Sequence, residues 1–586
     1  MGCRGSPLHI SNRKVHQMRE LLRIREPLVL AVFAGLPGSA AADILYVDKD
    51  ATGANDGSSW ADAYTALDVA LKEADFGDQI WVTGDKYFPG RLTNIDDPTY
   101  TTSDPRDATF WIPRGVQVYG GFLGTESAVS QRPFPLTQTI LSGDIGVPGD
   151  DSDNSYRVVY YRAHHGGGYG ASDSDQSISA VLDGFKVSGA NADMAAGAGV
   201  YGRGVFIGST LYNANFYIAN CIISNNTSVG NGGGMLLTNW TGDIDSSEIS
   251  SNHSDAAGGG LSLSQPAGER FITNTVFSDN SAGGDGGAIA RQGDTPFTAC
   301  AFQLPTRMIN CTFVDNSADS NGGAIRYSST GCQNASLDLT NCEFAGNSAL
   351  GTGGAVYLGH GSVISQSPLA YINGAKGDFQ NCTFADNSAT TSGGGVVAGV
   401  GSITQTDADV TIANSILWGN SAPSDAQANA IIAMFASCVD GGGWSTLLGN
   451  ISSDPLFYDA ASGDYSLNNG SPAADAGWNP YVSADHADID GDSDTSENLP
   501  LDLAFKSRIV DAGAPDTGVG PGSIVDMGAY ELCSGDYDRN GTLDFFDVSA
   551  FLVDHGAGNL NADIDGNGVV DAADVTAFLA AHSAGC

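Results

Sequence analysis

Asn310-Cys-Thr-Phe-Val-Asp-Asn316, followed by Gly322-Gly-Ala-Ile325, decides how this chain folds, because the chain writes it repeatedly. Close copies are Asn274-Thr-Val-Phe-Ser-Asp-Asn280 with Gly286-Gly-Ala-Ile, and Asn341-Cys-Glu-Phe-Ala-Gly-Asn347 with Gly353-Gly-Ala-Val. Asn381-Cys-Thr-Phe-Ala-Asp-Asn387 pairs with Gly393-Gly-Gly-Val, and Asn220-Cys-Ile-Ile-Ser-Asn-Asn226 with Gly232-Gly-Gly-Met-Leu. Divergent copies open at Ser246 and Asn414, and Leu182-Asp-Gly-Phe-Lys-Val-Ser-Gly is an earlier rung. The copies recur every 26 to 40 residues between 180 and 422, with the excess length in insertions at 292–308 and 359–378. A fixed repeat of this size marks a solenoid or a propeller.

Each unit holds two or three short alternating strands between Asn or Gly turns, and a helical period is absent. Asn and Gly tolerate left-handed backbone angles, and paired glycines let neighbouring turns approach closely. One coil per repeat, with strands stacked about 4.8 Å apart, predicts an all-β fold, a right-handed parallel β-helix. A β-propeller fits less well, since its blades need four longer strands joined by hairpins. The recurring Cys221, Cys311, Cys342 and Cys382 then share one stacked position with Thr275 and Ser415, and read as buried free thiols rather than metal ligands. Cys300 and Cys332 fall in adjacent insertions and are candidates for a disulfide across coils. Exposed strand edges need covers. Trp60, Tyr64, Leu67, Leu71 and Ala74 fall at helical spacing and predict a helix capping the first coil, and residues 450–531 are the expected C-terminal cap.

Twenty-five basic residues stand against 67 acidic ones, and six of the basic ones lie within the first 25 positions. Such a surface repels nucleic acid and anionic membranes. With 16% of residues charged and 41% hydrophobic, the chain has a core to bury. Residues 1–42 read as an export signal, with basic residues through Arg25, the apolar run 27–36 and the small-residue stretch Ser39-Ala40-Ala41-Ala42. Secretion to the exterior or cell surface follows, as a monomer.

Near the end, twelve residues are written twice, 27 residues apart. Asp536, Asp538, Asn540, Asp544 and Asp547 occupy positions 1, 3, 5, 9 and 12 of the first copy, with Gly541 at position 6. Asp563, Asp565, Asn567, Asp571 and Asp574 do so in the second, with Gly568 at position 6. This is the spacing of a Ca2+ loop, whose shell the backbone carbonyls of Thr542 and Val569 at position 7 would complete. Two Ca2+ ions are therefore expected. Each loop runs into an apolar-periodic segment, at Val548–His555 and Val575–His582.

The two loop–helix units resemble a type I dockerin, which likewise carries Asp at position 12. The resemblance covers 533–586 and implies attachment to a cohesin-like or other surface-anchoring partner. Phe545-Phe546 and Ala572-Ala573 replace the hydroxyl pair that usually contacts cohesin. The module looks like the variant that ends in Gly-Cys on secreted bacterial proteins, in which a Cys533–Cys586 disulfide would clamp the two ends. In the body, the Gly-Gly-Ala-Ile and Phe-x-x-Asn pairs resemble the repeats of chlamydial-type polymorphic outer-membrane proteins, which are adhesins. Tyr119-Gly-Gly-Phe-Leu-Gly-Thr-Glu126, Asp454-Pro-Leu-Phe457, Ser471-Pro-Ala-Ala-Asp-Ala-Gly477 and Asp526-Met-Gly-Ala-Tyr-Glu531 are similar to secreted pectin-lyase-like β-helix proteins of the choice-of-anchor type. That resemblance covers nearly all of 43–531 and implies a fold and an exported location, not a reaction.

Catalytic signals are sparse. Gly359-His360-Gly361 matches one polygalacturonase element, without its Asn-Thr-Asp, Asp-Asp or Arg-x-Lys companions, and reads as a loop. His164-His165 reads the same way. Arg291 and Arg326 follow equivalent Gly-Gly-Ala-Ile elements, either as solvated arginines in a ladder or as a contact for acidic sugars. Asp488-Ile-Asp490-Gly-Asp-Ser-Asp494 is acidic enough for a weak Ca2+ site but lacks the glycine-at-6 and position-12 pattern. Two function classes remain: a non-catalytic surface protein that binds polysaccharide or other surfaces, which is preferred, and a polysaccharide lyase or glycoside hydrolase. A groove that gathers two or more carboxylates with a basic residue is what the enzyme reading requires.

Overall fold

The computed structural model describes residues 42–90, 103–133, 138–163, 179–207, 210–264, 269–292, 305–328, 336–359, 363–366, 369–371, 375–399, 409–429, 431–512, 515–539 and 542–585. Residues 1–41 of the expected signal segment, Cys300, Cys332, His164, His165, His360, Asn540, Gly541 and Cys586 lie outside them.

The coil around Asn274 shows how the repeat becomes structure. Arg270–Thr273 is a strand of a first sheet; Asn274 then turns the chain with φ 51°, and Val276–Ser278 joins a second sheet. Asp279 (φ 55°) makes the next corner into the two-residue strand Ser281–Ala282 of a third sheet. The paired glycines carry the chain to Ile289–Gln292 in a fourth. The same corner recurs at Asn220, Asn310, Asn341, Asn381 and Asn414, all with φ between 48° and 54°. Asn accepts this conformation more readily than other side-chain-bearing residues. A Cβ on Gly287 would strike the carbonyls of Gly323 and Ser317, which is why coils need glycine there.

The four sheets, I to IV, hold twelve, eleven, seven and nine strands, each pairing in parallel with the next coil. This is the expected parallel β-helix, with four strands per coil rather than two or three. It also begins earlier than the repeats: Ile44–Val47, Gln79–Thr83 and Gln117–Phe122 are the first three strands of sheet I. Short antiparallel hairpins, such as Val205–Ile207 with Thr210–Tyr212, project from the coils.

Three ladders run through the interior. Asn226, Asn252, Asn280, Asn316, Asn347, Asn387 and Asn420 form a chain in which each side-chain amide donates to the next carbonyl at 2.8–3.1 Å. Phe277, Phe313, Phe344 and Phe384 stack with centroids 4.5–4.9 Å apart and planes within 10°. Cys221, Cys311, Cys342 and Cys382 are buried and free, with Ser247, Thr275 and Ser415 in the same slot of other coils. Burial pushes the Cys221 thiol up to about 12, so that sulfur acts as a small apolar filler.

The N-terminal helix is shorter than its spacing predicts. Helix α1 spans Leu67–Glu73, and Leu67, Ala70, Leu71 and Ala74 join the main core. Tyr64 instead pairs its backbone with Tyr46, at 2.8 Å, and Trp60 packs on Trp81 and Phe122. Strand-like pairing to the first coil has taken the residues that would have formed the first helical turns.

Residues 450–532 do more than cover the last coil. They run back along the side of the β-helix, over the corner between sheets I and II. Val482, Ile489, Leu499 and Val525 pack on Ile309 and Phe271, and Tyr465 packs on Val314, Ala345 and Ala385. Tyr530 Oη donates to Glu343 (2.8 Å), Ala529 N to Thr383 Oγ1 (3.0 Å), and Asn414 Nδ2 to the Trp478 carbonyl (3.0 Å). Helices α2 (Phe545–Ala557) and α3 (Ala572–Ala584) follow.

Candidate functional site

The doubled loops close on themselves as their spacing requires. In the first, Asp536, Asp538 and Asp547 each bring a carboxylate oxygen within 4.8 Å of the others; in the second, Asp563, Asp565 and Asp574 do the same. Asp547 and Asp574 are fully buried at the starts of α2 and α3. Asp547 accepts from the Asp538 and Asp544 amides (3.1 and 2.8 Å), and Asp574 from those of Ile564 and Asp571 (2.8 and 2.7 Å). These bonds hold the position-12 carboxylates facing positions 1 and 3.

Position 9 has a different duty. Asp544 and Asp571 are the N-caps of α2 and α3, accepting from the Phe546 and Ala573 amides. They stand outside the two clusters. Asn567 Oδ1 accepts from the Val569 amide at 2.8 Å. Burial, together with the charges of Asp574 and Asp565, holds the Asp563 carboxyl above its usual range. A divalent cation with oxygen ligands suits both clusters.

The two halves brace each other through reciprocal contacts. Phe551 and Phe578 stack at 4.2 Å, with Tyr537 edge-on to both. His555 Nε2 meets the Asp571 carbonyl (2.8 Å) and His582 Nε2 the Asp544 carbonyl (3.2 Å), each helix end thus bracing the opposite loop. Cys533, where the module begins, is disulfide-bonded. The module docks on the lateral segment: Arg539 stacks on Tyr458 at 3.9 Å, and Asn469 donates to the Asn561 carbonyl at 2.9 Å. Lys506 reaches from that segment to Asp536 Oδ2 at 2.6 Å, placing an ammonium on the position-1 carboxylate of the first loop. Phe545 and Phe546 are exposed.

The body contains an acid–arginine row that no local motif announces. Coil register lines up Phe271, Arg307, Asp338 and Asp378 across sheet I. Arg307 bridges Glu269 (2.7 Å) and Asp338 (3.4 Å). Burial raises both Asp338 and Asp378, and the Asp338 charge adds to the second. Asp243, which directly precedes the sheet I strand Ile244–Asp245, is pushed up to about 6 by burial. His486 from the lateral segment belongs to the same electrostatic neighbourhood, and its ring is held below its usual range by burial and by Arg307.

The arginine ladder does not form. Register sets Arg291 opposite Tyr327 and Arg326 opposite Ala290, one residue out of step, so the two side chains take opposite faces of sheet IV. Arg291 lies in the inward row between Leu263 and Tyr327 and is fully buried, its guanidinium donating to the Ser328 carbonyl. Arg326 pairs outside with Asp285 at 3.3 Å.

The flank motifs around Asp475 and Asp526 meet in one place. Asp526 accepts from the Asp475 and Leu532 amides (2.7 and 2.6 Å), Asp502 from Glu531 N (2.8 Å), and Arg508 donates to the Gly528 carbonyl (2.7 Å). The result is a buried polar knot that ties the lateral segment to itself. Burial pushes Asp475 up to about 8 and Asp526 to about 7, with mutual repulsion adding to Asp475.

Two stretches, residues 274–290 and 310–327, match the Chlamydia polymorphic membrane protein (Chlamydia_PMP) repeat. Among solved structures the chain is similar to pectate lyase Pel9A, at 14% identity over 84% of this chain and 97% of that one, with a TM-score of 0.40. It is also similar to a rhamnogalacturonan lyase (11% identity, 68% and 87% covered, TM-score 0.33). The A-module of mannuronan C-5 epimerase AlgE4 from Azotobacter vinelandii is a third (13%, 67% and 94%, 0.33). Identities this low say nothing of chemistry. No curated protein matches the chain. Among the described residues, no helix is long and apolar enough to cross a membrane.

Proposed function

We propose that this is an exported β-helix protein of the cell surface or exterior, which binds or displays toward glycans and is held in place by a calcium-dependent, dockerin-like module. The observation that carries the reading is the pair of three-carboxylate clusters built on one stacked Phe551–Phe578 core. Each cluster offers a hard cation the oxygen ligands it prefers and needs positive charge to relieve repulsion. The polymorphic-membrane-protein repeats support a surface location. With a formal net charge of −42, neutral or amino-sugar glycans suit the body better than polyuronates. The anchoring partner is a cohesin-like or other surface receptor; Phe545 and Phe546 give it an aromatic rather than a hydroxyl contact.

A second reading, a polysaccharide lyase or hydrolase, has one observation in its favour. Arg307, Asp338 and Asp378 stand side by side on sheet I, with both carboxyls raised, as groups that move protons often are. Against it, Arg307 is held as a cation between Glu269 and Asp338 and is poorly suited to act as a base. The full chain would be offered neutral, amino-sugar and uronate polysaccharides, scoring both retention and chain cleavage. Retention without cleavage supports the binding reading. Cleavage abolished by Arg307→Ala or Asp338→Asn replaces it with the enzyme reading.

A further inference from the structure

Residues 485–497 form a closed loop on the lateral segment, outside the doubled motif. Its ends meet through Asp485 N donating to the Glu497 carbonyl (2.9 Å) and Leu499 N to the Ser483 carbonyl (2.7 Å). Ile489, at its centre, is buried with Val482, Leu499 and Val525 against Ile309 of the β-helix. The loop is thus pinned at both ends and in the middle. Asp488 (φ 50°), Gly491 (φ 82°) and Ser493 (φ 74°) curl it tightly.

That curl turns acids toward one point. Asp485, Asp490 and Glu497 bring carboxylate oxygens within 4.8 Å of one another, as do Asp488, Asp490 and Asp492, and Asp490 belongs to both sets. A cluster of exposed acids would mean little. Here, however, Asp485 is fully buried and its Oδ1 has no hydrogen-bond partner, while Oδ2 accepts from Ile489 N at 2.7 Å. Glu497 Oε1 is likewise buried and without a partner. Buried polar atoms are nearly always satisfied, and an orphaned carboxylate oxygen is among the costliest exceptions. Among the described residues, none of these five carboxylates forms an ion pair. Water could satisfy the two oxygens but would leave the converging negative charge uncompensated.

We propose that the 485–497 loop is a third calcium site, with Asp485, Asp490 and Glu497 as its inner carboxylates and Asp488 and Asp492 closing the outer side. The ligand set is all oxygen and flexible, which favours Ca2+ over the smaller Mg2+ with its demand for a rigid octahedron. The ion fastens the loop, and with it Ile489 and His486, beside the acid–arginine row of sheet I. The site is independent of the two loops of the terminal module, so either can fail without the other.

Calcium titration of the full chain by calorimetry separates them. The unaltered chain binds three ions, Asp536→Ala with Asp563→Ala leaves one, and adding Asp490→Asn with Glu497→Gln leaves none. One ion lost on Asp490→Asn with Glu497→Gln alone, with the other two retained, is the matching result. A chain carrying Asp536→Ala and Asp563→Ala that binds no calcium overturns the proposal. So does a residual ion that survives the 490 and 497 changes. Should those changes prevent folding, proteolysis of the Asp536→Ala, Asp563→Ala chain decides alone. Cleavage within 485–497 falls at least tenfold on adding Ca2+ if the site exists, and is unchanged if it does not.

Discussion

Replacing Asn316 by alanine tests how the coils hold together. The Asn316 amide donates to Asn347 Oδ1 (3.0 Å) and to the Phe277 carbonyl (2.9 Å), and its Oδ1 accepts from Asn280 N (3.1 Å) and Asn280 Nδ2 (3.0 Å). The side chain is fully buried. Alanine deletes all four bonds. Asn347 Oδ1 keeps the Asn316 backbone donor at 3.1 Å, and the Phe277 carbonyl keeps its place in the parallel ladder of sheet II, but the Asn280 amide and one Asn280 side-chain hydrogen are stranded. At about 1–3 kcal/mol for each stranded group, and with partial relaxation, the loss is about 2–5 kcal/mol. The surface change Thr227→Ala costs no more than about 0.5 kcal/mol. Urea unfolding followed by tryptophan fluorescence measures both. Asn316→Asp sharpens the test, because its second oxygen would face the Phe277 carbonyl and Asn347 Oδ1. Only the protonated acid can donate there, so the aspartate variant recovers stability as pH falls. A loss below about 1 kcal/mol for Asn316→Ala would refute the view that the ladder is a stabilising device.

Other outcomes follow from the polar groups outside the coils. Asp475 and Asp526 have folded values of about 8 and about 7, well above the ordinary 3.8, so the folded state holds protons that the unfolded chain has released. Their contribution to stability is complete below about pH 4 and declines as pH rises to about 8. The melting temperature of Asp475→Asn relative to the parent should accordingly rise between pH 5 and pH 9; a pH-independent difference would contradict this. Lys506→Ala removes the ammonium that competes for Asp536, and should tighten the first calcium loop about two- to tenfold, read by calorimetry, while leaving the second unchanged. Phe551→Ala opens the stacked centre of the module and should cost about 3–5 kcal/mol in the calcium-loaded module, seen as loss of helical ellipticity at lower temperature.

Much of the fold is legible in the repeats because every coil solves the same corner problem with the same residues. Asn at left-handed φ and glycine at the close approach leave a written trace. The first coils leave a fainter trace: Gln79–Thr83 and Gln117–Phe122 occupy the same sheet without the Asn corner, and the pair Gly120-Gly121 lies inside a sheet I strand rather than ahead of a sheet IV strand. Helix α1 is half its apparent length because periodicity cannot say that Tyr64 would rather pair with Tyr46. Arg291 and Arg326 look equivalent beside their glycines, yet a one-residue offset in register sends one inward and the other out. The two acidic clusters are legible at positions 1, 3 and 12, whereas the capping duty of Asp544 and Asp571 emerges only with the helices they start. The acid–arginine row lies beyond sequence reading altogether. Glu269, Arg307, Asp338 and Asp378 sit on different coils, and insertions of unequal length erase any spacing between them.

Calcium is expected to order the terminal module, while the β-helix stands on its own ladders. Amide hydrogen exchange on the full chain, with Ca2+ and with chelator, resolves the two. Residues 536–547 and 563–574, together with α2 and α3, should exchange at least tenfold more slowly with calcium, and Asp536→Ala with Asp563→Ala should erase the difference. The coils between 216 and 398 should exchange alike in both conditions. Equal exchange of the module with and without calcium would contradict the account.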